Sequence, residues 1–108
     1  MADRDIWIEA GAVVKPHGIR GEVIADVKRD LMELIARGVL VGVRSMAGED
    51  SRLDVEAARV HAGRLIIKFE GVDTRNEAEE LRGSALSLTR EQIGPLPDGR
   101  YFVQDIVG

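Results

Sequence analysis

The chain has 108 residues and no cysteine, with 44% hydrophobic and 31% charged side chains, which fits one globular domain and excludes a disordered or disulfide-stapled protein. Fifteen basic and nineteen acidic residues give a formal net charge of −4, which excludes polyanion binding through global charge. Any contact with nucleic acid must therefore be local.

No part of the sequence has the features of a targeting or membrane segment. The first five residues are mostly charged, unlike a signal peptide, and no stretch approaches the roughly 18 apolar residues of a membrane-spanning helix. We expect a cytoplasmic protein that does not associate with membranes and is a monomer.

Alternating apolar residues predict two strands at the start of the chain. The predicted buried face of the first strand is Ile6, Ile8, Ala10, Ala12 and Val14. A seven-residue loop over 15–21, with one proline and two glycines, interrupts the alternation, which resumes at Val23, Ala25 and Val27. The spacing of Asp30 and Glu33 then predicts a short helical piece with a capping box, ending near Gly38.

Four further strands and one helix follow. Alternation predicts strands over 39–43, 53–57 and 65–69, with a β-bulge at Ala57-Ala58, Val60 on the new parity, and a tight turn at Ala62-Gly63. Thr74 and Glu77 have capping-box spacing and predict a helix over 74–82 that ends at Gly83. Residues 86–89 predict a sixth strand, and the glycines and prolines of 94–99 indicate a linker.

Six short strands with one convincing helix favour an all-β protein, a six-stranded antiparallel β-barrel in which closure removes the exposed edges. We assign residues 1–94 to this barrel. Residues 95–108 include a new apolar stretch, Tyr101 to Val107, and we expect them to be a linker with the first residues of a second domain.

The loop between the first two strands is the most unusual segment. Lys15, His17 and Arg20 lie among Pro16, Gly18 and Gly21, so cationic groups and backbone N–H groups could together contact phosphates. An ordinary hairpin loop with solvated charges is the alternative, and composition alone favours it. His17 has only Glu22 as a nearby carboxylate, which makes it a poor candidate for a general base.

Nothing else in the sequence points to catalysis, a metal or a cofactor. The carboxylates of 73–80 read as a helix cap and a solvated face, with Arg75 pairing with Glu79 at i,i+4. His61 reads as a surface turn residue, and two isolated histidines do not make a metal site. Trp7 lies on the polar parity of its strand, where it could stack on a base or cover the barrel rim.

Three segments at matching spacings resemble the RimM family of ribosome maturation factors. They are GAVVKPHGIRGEV over 11–23, FEGVDTRNEAEELRG over 69–83 and YFVQDIVG over 101–108. The resemblance implies a translation-factor-like six-stranded N-terminal barrel followed by a PRC-barrel domain, of which this chain holds only the start. It also implies a non-enzymatic factor that binds the head of the immature small ribosomal subunit and assists its assembly and 16S rRNA processing.

The resemblance also suggests roles for individual residues. The candidates for ribosome or RNA contact are Lys15, His17, Gly18, Arg20 and Gly21, and the structural residues of the second motif are Gly71, Asp73, Ala78, Leu81 and Gly83. Tyr101 and Phe102 are candidates for the domain junction or a protein contact, with Phe102 standing where the family usually has a second tyrosine. The implied partners are the rRNA and the nineteenth protein of the small subunit, the latter mainly through the PRC domain. Two alternatives stay open. One is a barrel that binds a ribosomal protein without touching RNA. The other is an enzyme such as a nuclease or a modification enzyme, which would need a metal or nucleotide site that the sequence does not show.

Overall fold

The structure, a computed structural model, describes residues 6–94. It contains six strands, a 3₁₀ helix and two short α-helices. In chain order these are β1 (Trp7–His17), β2 (Glu22–Val27), the 3₁₀ helix (Arg29–Leu34), β3 (Leu40–Arg44), β4 (Asp50–His61), β5 (Arg64–Phe69), α1 (Arg75–Glu79), β6 (Ala85–Thr89) and α2 (Arg90–Ile93). The predicted all-β class and the helical piece after the second strand are confirmed.

The strands close into a barrel in the order β1-β2-β5-β4-β3-β6, and every neighbouring pair is antiparallel. The seam joins the first and last strands, with Trp7 opposite Thr89 and Ile8 opposite Leu88. Closure gives each strand two hydrogen-bonded neighbours, which is how a small sheet avoids an exposed edge. The predicted six-stranded antiparallel barrel is therefore confirmed.

Side chains that alternate along the strands fill the barrel interior. The fully buried side chains of largest volume are Phe69, Leu31, Ile35, Leu65, Ile67, Leu86 and Leu88. On β2, Val23, Ala25 and Val27 are buried as predicted. Leu31 and Ile35 come from the segment around the 3₁₀ helix, which therefore contributes to the same core.

The predicted buried face of β1 is correct only in part. The register shifts twice along this strand, once against β6 and once against β2, and each shift adds a residue. The buried positions are therefore Ala10, Val13 and Pro16, three residues apart. Ala12 and Val14 are only half-buried, and Ile6 is exposed.

Several element boundaries also differ from the sequence prediction. β1 and β2 are joined by a four-residue turn over 18–21 rather than a seven-residue loop, because β1 continues to His17 through Pro16. The bulge in β4 lies between Val55 and Ala57, one residue early, and Val60 is exposed. The 3₁₀ helix begins without a side-chain cap, so the capping box predicted at Asp30 is wrong.

The two α-helices depart from expectation in opposite directions. α1 is five residues long and gives way to turns through Gly83, whereas the sequence predicted a helix over 74–82. α2 was not predicted, although Thr89 and Gln92 have the capping-box spacing in the sequence and form that box in the structure. Each short helix contributes one buried residue to the barrel core, Ala78 from α1 and Ile93 from α2.

Antiparallel pairing brings three connections to one end of the barrel, called the α1 end here. They are the β1–β2 turn over 18–21, the β3–β4 turn over 45–49, and the segment 70–84 that carries α1. The two segments that carry the sequence motifs of 11–23 and 69–83 therefore meet at the α1 end. The division into a barrel over 1–94 and a linker with a second-domain start over 95–108 stays a prediction, since 1–5 and 95–108, with Tyr101 and Phe102, lie outside the described residues.

Candidate nucleic-acid interface

The candidate contact residues lie on a hairpin whose tip projects into solvent. Lys15 and His17 are at the end of strand β1, two residues apart and on the same outward face, while Pro16 between them is buried. Gly18 and Arg20 are exposed in the turn. Ile19, between them, is 78% exposed, so the tip carries one large apolar side chain among cationic ones.

Gly21 differs from the other candidates because it is buried against a neighbouring backbone. Its φ is +93°, and a Cβ at this position would overlap the carbonyl oxygen of Val72 and press on the carbonyl carbon of Asp73. Only glycine therefore lets the turn close on the segment that leads into α1. Any contribution of Gly21 to binding acts through the shape of the turn.

Arg75 joins α1 to the same turn. Its Nη1 donates a hydrogen bond of 2.8 Å to the carbonyl oxygen of Gly18. The predicted pairing of Arg75 with Glu79 is wrong, because Glu79 accepts from Arg82 instead, at 2.7 Å. That hydrogen bond from Arg82 holds the pKa of Glu79 below its ordinary value.

The second motif builds the support under this turn. Thr74 and Glu77 form the predicted capping box at the start of α1, and Glu77 also accepts from the backbone N–H of Asp73 at 2.8 Å. Ala78 is fully buried and Leu81 half-buried, as expected of structural residues. Gly71 lies in the turn after β5.

Two further contacts fix the ends of that support. Gly83 lies beneath Met46 of the β3–β4 turn, where a Cβ would overlap the sulfur. Lys68 donates to Asp73 at 2.9 Å, to Glu56 at 3.3 Å and to the carbonyl oxygen of Phe69 at 3.0 Å. Burial alone would lower the pKa of Lys68, but the hydrogen bonds to Asp73 and Glu56 raise it above its ordinary value.

Two acidic groups near the hairpin are already engaged in ion pairs. Glu22, opposite His17 in the β1–β2 pairing, binds Arg59 at 3.1 Å, and Asp73 binds Lys68. Within residues 6–94, no carboxylate lies at ion-pair distance from Lys15 or Arg20. The hairpin thus presents exposed cationic charge on a chain of net negative charge.

Trp7 packs against its own barrel, on Gly42 and Arg52. Its ring packs on Gly42 of β3, where a Cβ would collide with the ring, and the guanidinium of Arg52 lies 5.1 Å from the ring centroid on β4. Trp7, Gly42 and Arg52 line an open groove of about 480 Å³. The ring therefore covers the barrel wall, and the stacking contact it makes is with Arg52.

Between residues 6 and 94 the two histidines and the remaining carboxylates form no metal-binding cluster. His61 is exposed at the end of β4, next to the turn at Ala62, as predicted for a surface residue. In the part of the chain that the structure describes, no group of three or more His, Asp or Glu side chains is placed to hold a metal ion. None of the helices between residues 6 and 94 is long and apolar enough to cross a membrane.

Sequence reasoning identified the hairpin but missed the residue that braces it. Arg75 and Gly18 are 57 positions apart, and neither alternation nor helix spacing relates them. The only signal in the sequence is that both lie in segments of the same family resemblance. The contact between the two segments becomes visible only when the barrel brings β1 and α1 to one end.

The fold and site together define a small closed barrel that holds out a braced cationic hairpin, which is the arrangement of a binding module. The family model described as the RimM N-terminal domain matches residues 8–93. The chain therefore belongs to the RimM N-terminal domain family, and the resemblance seen in the sequence is confirmed.

Individual relatives agree with this assignment. The ribosome maturation factor RimM of Frankia casuarinae is 41% identical over 110 aligned residues, which cover 94% of this chain and 60% of the relative. The RimM of Geobacillus kaustophilus is 33% identical over 110 residues, covering all of this chain and 63% of the relative. The chain thus spans about three-fifths of the length of the curated relatives it matches.

Two solved structures share the fold. The crystal structure of a 16S ribosomal RNA processing protein RimM from Pseudomonas aeruginosa has a TM-score of 0.71 and 28% identity, over 91% of this chain and 57% of the other. The solution structure of the N-terminal domain of RimM from Thermus thermophilus has a TM-score of 0.65 over 82% of this chain and 95% of the other. At 19% identity, the second likeness shows the fold alone.

Proposed function

We propose that this barrel is the RNA-facing module of a ribosome maturation factor that binds the head of the immature small subunit. In this role it assists assembly and 16S rRNA processing in the cytoplasm. The relatives named as ribosome maturation factors and the relative named as a 16S rRNA processing protein support this role. The observation that carries the proposal is the exposed hairpin with Lys15 and Arg20, whose cations have no ion-pair partner within residues 6–94.

The chemistry we propose is binding without bond making or breaking. Lys15 and Arg20 would neutralise phosphates, while backbone N–H groups of the exposed residues 18–20 would add hydrogen bonds to phosphate oxygens. A factor that binds one arrangement of the subunit head more tightly than the others shifts the population toward that arrangement. His17 lies on the same outward face as Lys15 and would contact the same strand of RNA.

The rest of the protein supplies further contacts in this proposal. Residues 95–108 would lead into a PRC-barrel domain, and that domain would bind the nineteenth protein of the small subunit. In this proposal the barrel binds the RNA and the second domain binds the ribosomal protein. Tyr101 and Phe102 would then belong to the domain junction.

A protein-binding barrel without RNA contact is the second candidate, and one observation favours it. Ile19 and Met46, at the tips of two turns at the α1 end, are 78% and 80% exposed. A protein partner would remove these two apolar side chains from water, whereas phosphate contacts would leave them exposed. Binding of this kind would depend little on salt.

Replacing both Lys15 and Arg20 with alanine tests the two candidates. If both side chains contact phosphates, we expect binding to immature small subunits to weaken about tenfold to hundredfold, and the slope of log K against log salt to fall by about 1.5. The measurement is binding of labelled chain to purified immature subunits at four salt concentrations.

The matched control is the Lys28→Ala, Arg29→Ala double variant. Both residues are exposed cations at the opposite end of the barrel, so the net charge changes equally while the hairpin is untouched. We expect its salt slope to equal that of the wild type. An unchanged slope in the Lys15 and Arg20 double variant contradicts phosphate contact and supports the protein-binding candidate.

A further inference from the structure

The 18–21 turn is held at two points by the segment between β5 and β6. On one side Gly21 lies against the backbone of Val72, and on the other Arg75 donates to the carbonyl oxygen of Gly18. Both contacts come from the segment between β5 and β6, which is itself fixed by the capping box of α1 and by Lys68 on Asp73. The turn is therefore supported at its first and last residues, and Ile19 and Arg20 lie between the two supports.

Such support matters because exposed turns are ordinarily the most mobile parts of a domain. A contact residue on a mobile turn loses conformational freedom when it binds, and that loss reduces affinity. A turn already held in one conformation avoids much of the loss. Arg75 suits this purpose, since its guanidinium is a charged donor and forms a stronger hydrogen bond to a carbonyl than a neutral donor does.

We propose that Arg75 is a positioning residue for the RNA-binding hairpin, holding the 18–21 turn in its binding conformation through the carbonyl oxygen of Gly18. This inference rests on the proposed function of the hairpin. It assigns to the second sequence motif a role in recognition, since Arg75 is the first residue of α1 and donates to the turn from there. Arg75 acts through the turn and makes no phosphate contact of its own.

The test compares Arg75→Ala with Arg82→Ala. Arg82 is an exposed arginine of the same segment whose guanidinium binds Glu79 instead of the turn, so its removal changes the net charge equally. Two quantities are measured for each variant and the wild type. The first is the backbone ¹⁵N order parameter of residues 18–21 in the free protein, and the second is the affinity for immature small subunits across a range of salt.

In Arg75→Ala we expect the order parameters of the turn to fall from about 0.8 toward about 0.6, the value of a flexible segment. We expect affinity to fall about threefold to tenfold, as when a single ordered segment must be fixed on binding, with the salt slope unchanged. Arg82→Ala should behave as the wild type in both measurements.

Three results overturn the proposal. Order parameters that do not change in Arg75→Ala show that the turn does not need Arg75. A salt slope that falls by about 0.8 shows that Arg75 is itself a phosphate ligand. A looser turn with unchanged affinity shows that positioning does not matter for binding. If the Lys15 and Arg20 double variant instead binds as the wild type does, the proposed function fails, while the order parameters still decide whether Arg75 holds the turn.

Discussion

Gly21→Ala is expected to destabilise the barrel by at least about 3 kcal/mol, because a left-handed backbone and a steric overlap combine at one position. Its φ is +93°, and the added Cβ would overlap the carbonyl oxygen of Val72, which is backbone and has no rotamer to change. Relief requires the hairpin to separate from the segment that leads into α1. Urea unfolding followed by circular dichroism and by the fluorescence of the single tryptophan measures the loss.

Gly18→Ala is the matched control at the other end of the same turn. Its φ is +75°, also left-handed, but a Cβ there would meet no atom within 4 Å. We expect it to cost about 1 kcal/mol, the price of the backbone conformation alone. The difference between the two variants therefore isolates the packing of Gly21 on Val72, and equal losses would contradict that packing.

Phe69→Ala is expected to cost about 3–5 kcal/mol, the usual range for removing a fully buried phenylalanine. Phe69 has the largest side chain among the fully buried residues, and it lies where β5 ends and the support of the hairpin begins. Its carbonyl oxygen accepts from the backbone N–H of Val72 and from Nζ of Lys68. A cavity at this place therefore weakens both the core and the base of the site.

Phe69→Leu separates these effects from a general intolerance of substitution. Leucine keeps most of the apolar volume, so we expect a loss of about 1 kcal/mol in the same urea experiment. Because small domains have unfolding free energies at the low end of about 5–15 kcal/mol, Phe69→Ala should leave the protein close to unfolding at room temperature. A loss below about 1 kcal/mol for Phe69→Ala would show that this side chain is not central to the core.

Local patterns were enough to predict the class of fold. Alternation identified the strands, and the turn residues separated them, as at Ala62-Gly63, where the expected tight turn is present. The face of β1 could not be predicted correctly, because the bulges that shift Val13 into the core arise from pairing with β6 and β2. A bulge is a property of the pairing between two strands, so the sequence of one strand alone does not predict it.

The site shows the same division between local and distant information. The charges and glycines of the hairpin and the Thr74 to Glu77 capping box were visible because each lies within a few residues of its partner. The pairing of Arg75 was predicted wrongly. Helix spacing predicted Glu79 as its partner, but the closed barrel places the carbonyl oxygen of Gly18 within hydrogen-bond distance, and Glu79 pairs with Arg82. Gly21 was read as a contact residue, and its packing on Val72 depends on a segment fifty positions away.

Co-sedimentation of this chain with immature and mature small ribosomal subunits, at low and high salt, tests the proposed function most directly. A longer version of the protein that includes the proposed PRC-barrel domain is measured in parallel. We expect the barrel alone to pellet selectively with immature particles and to be released as salt rises, because the proposed contact is with phosphates. If only the longer version binds, recognition lies in the added region, and this result would contradict the role proposed for the hairpin.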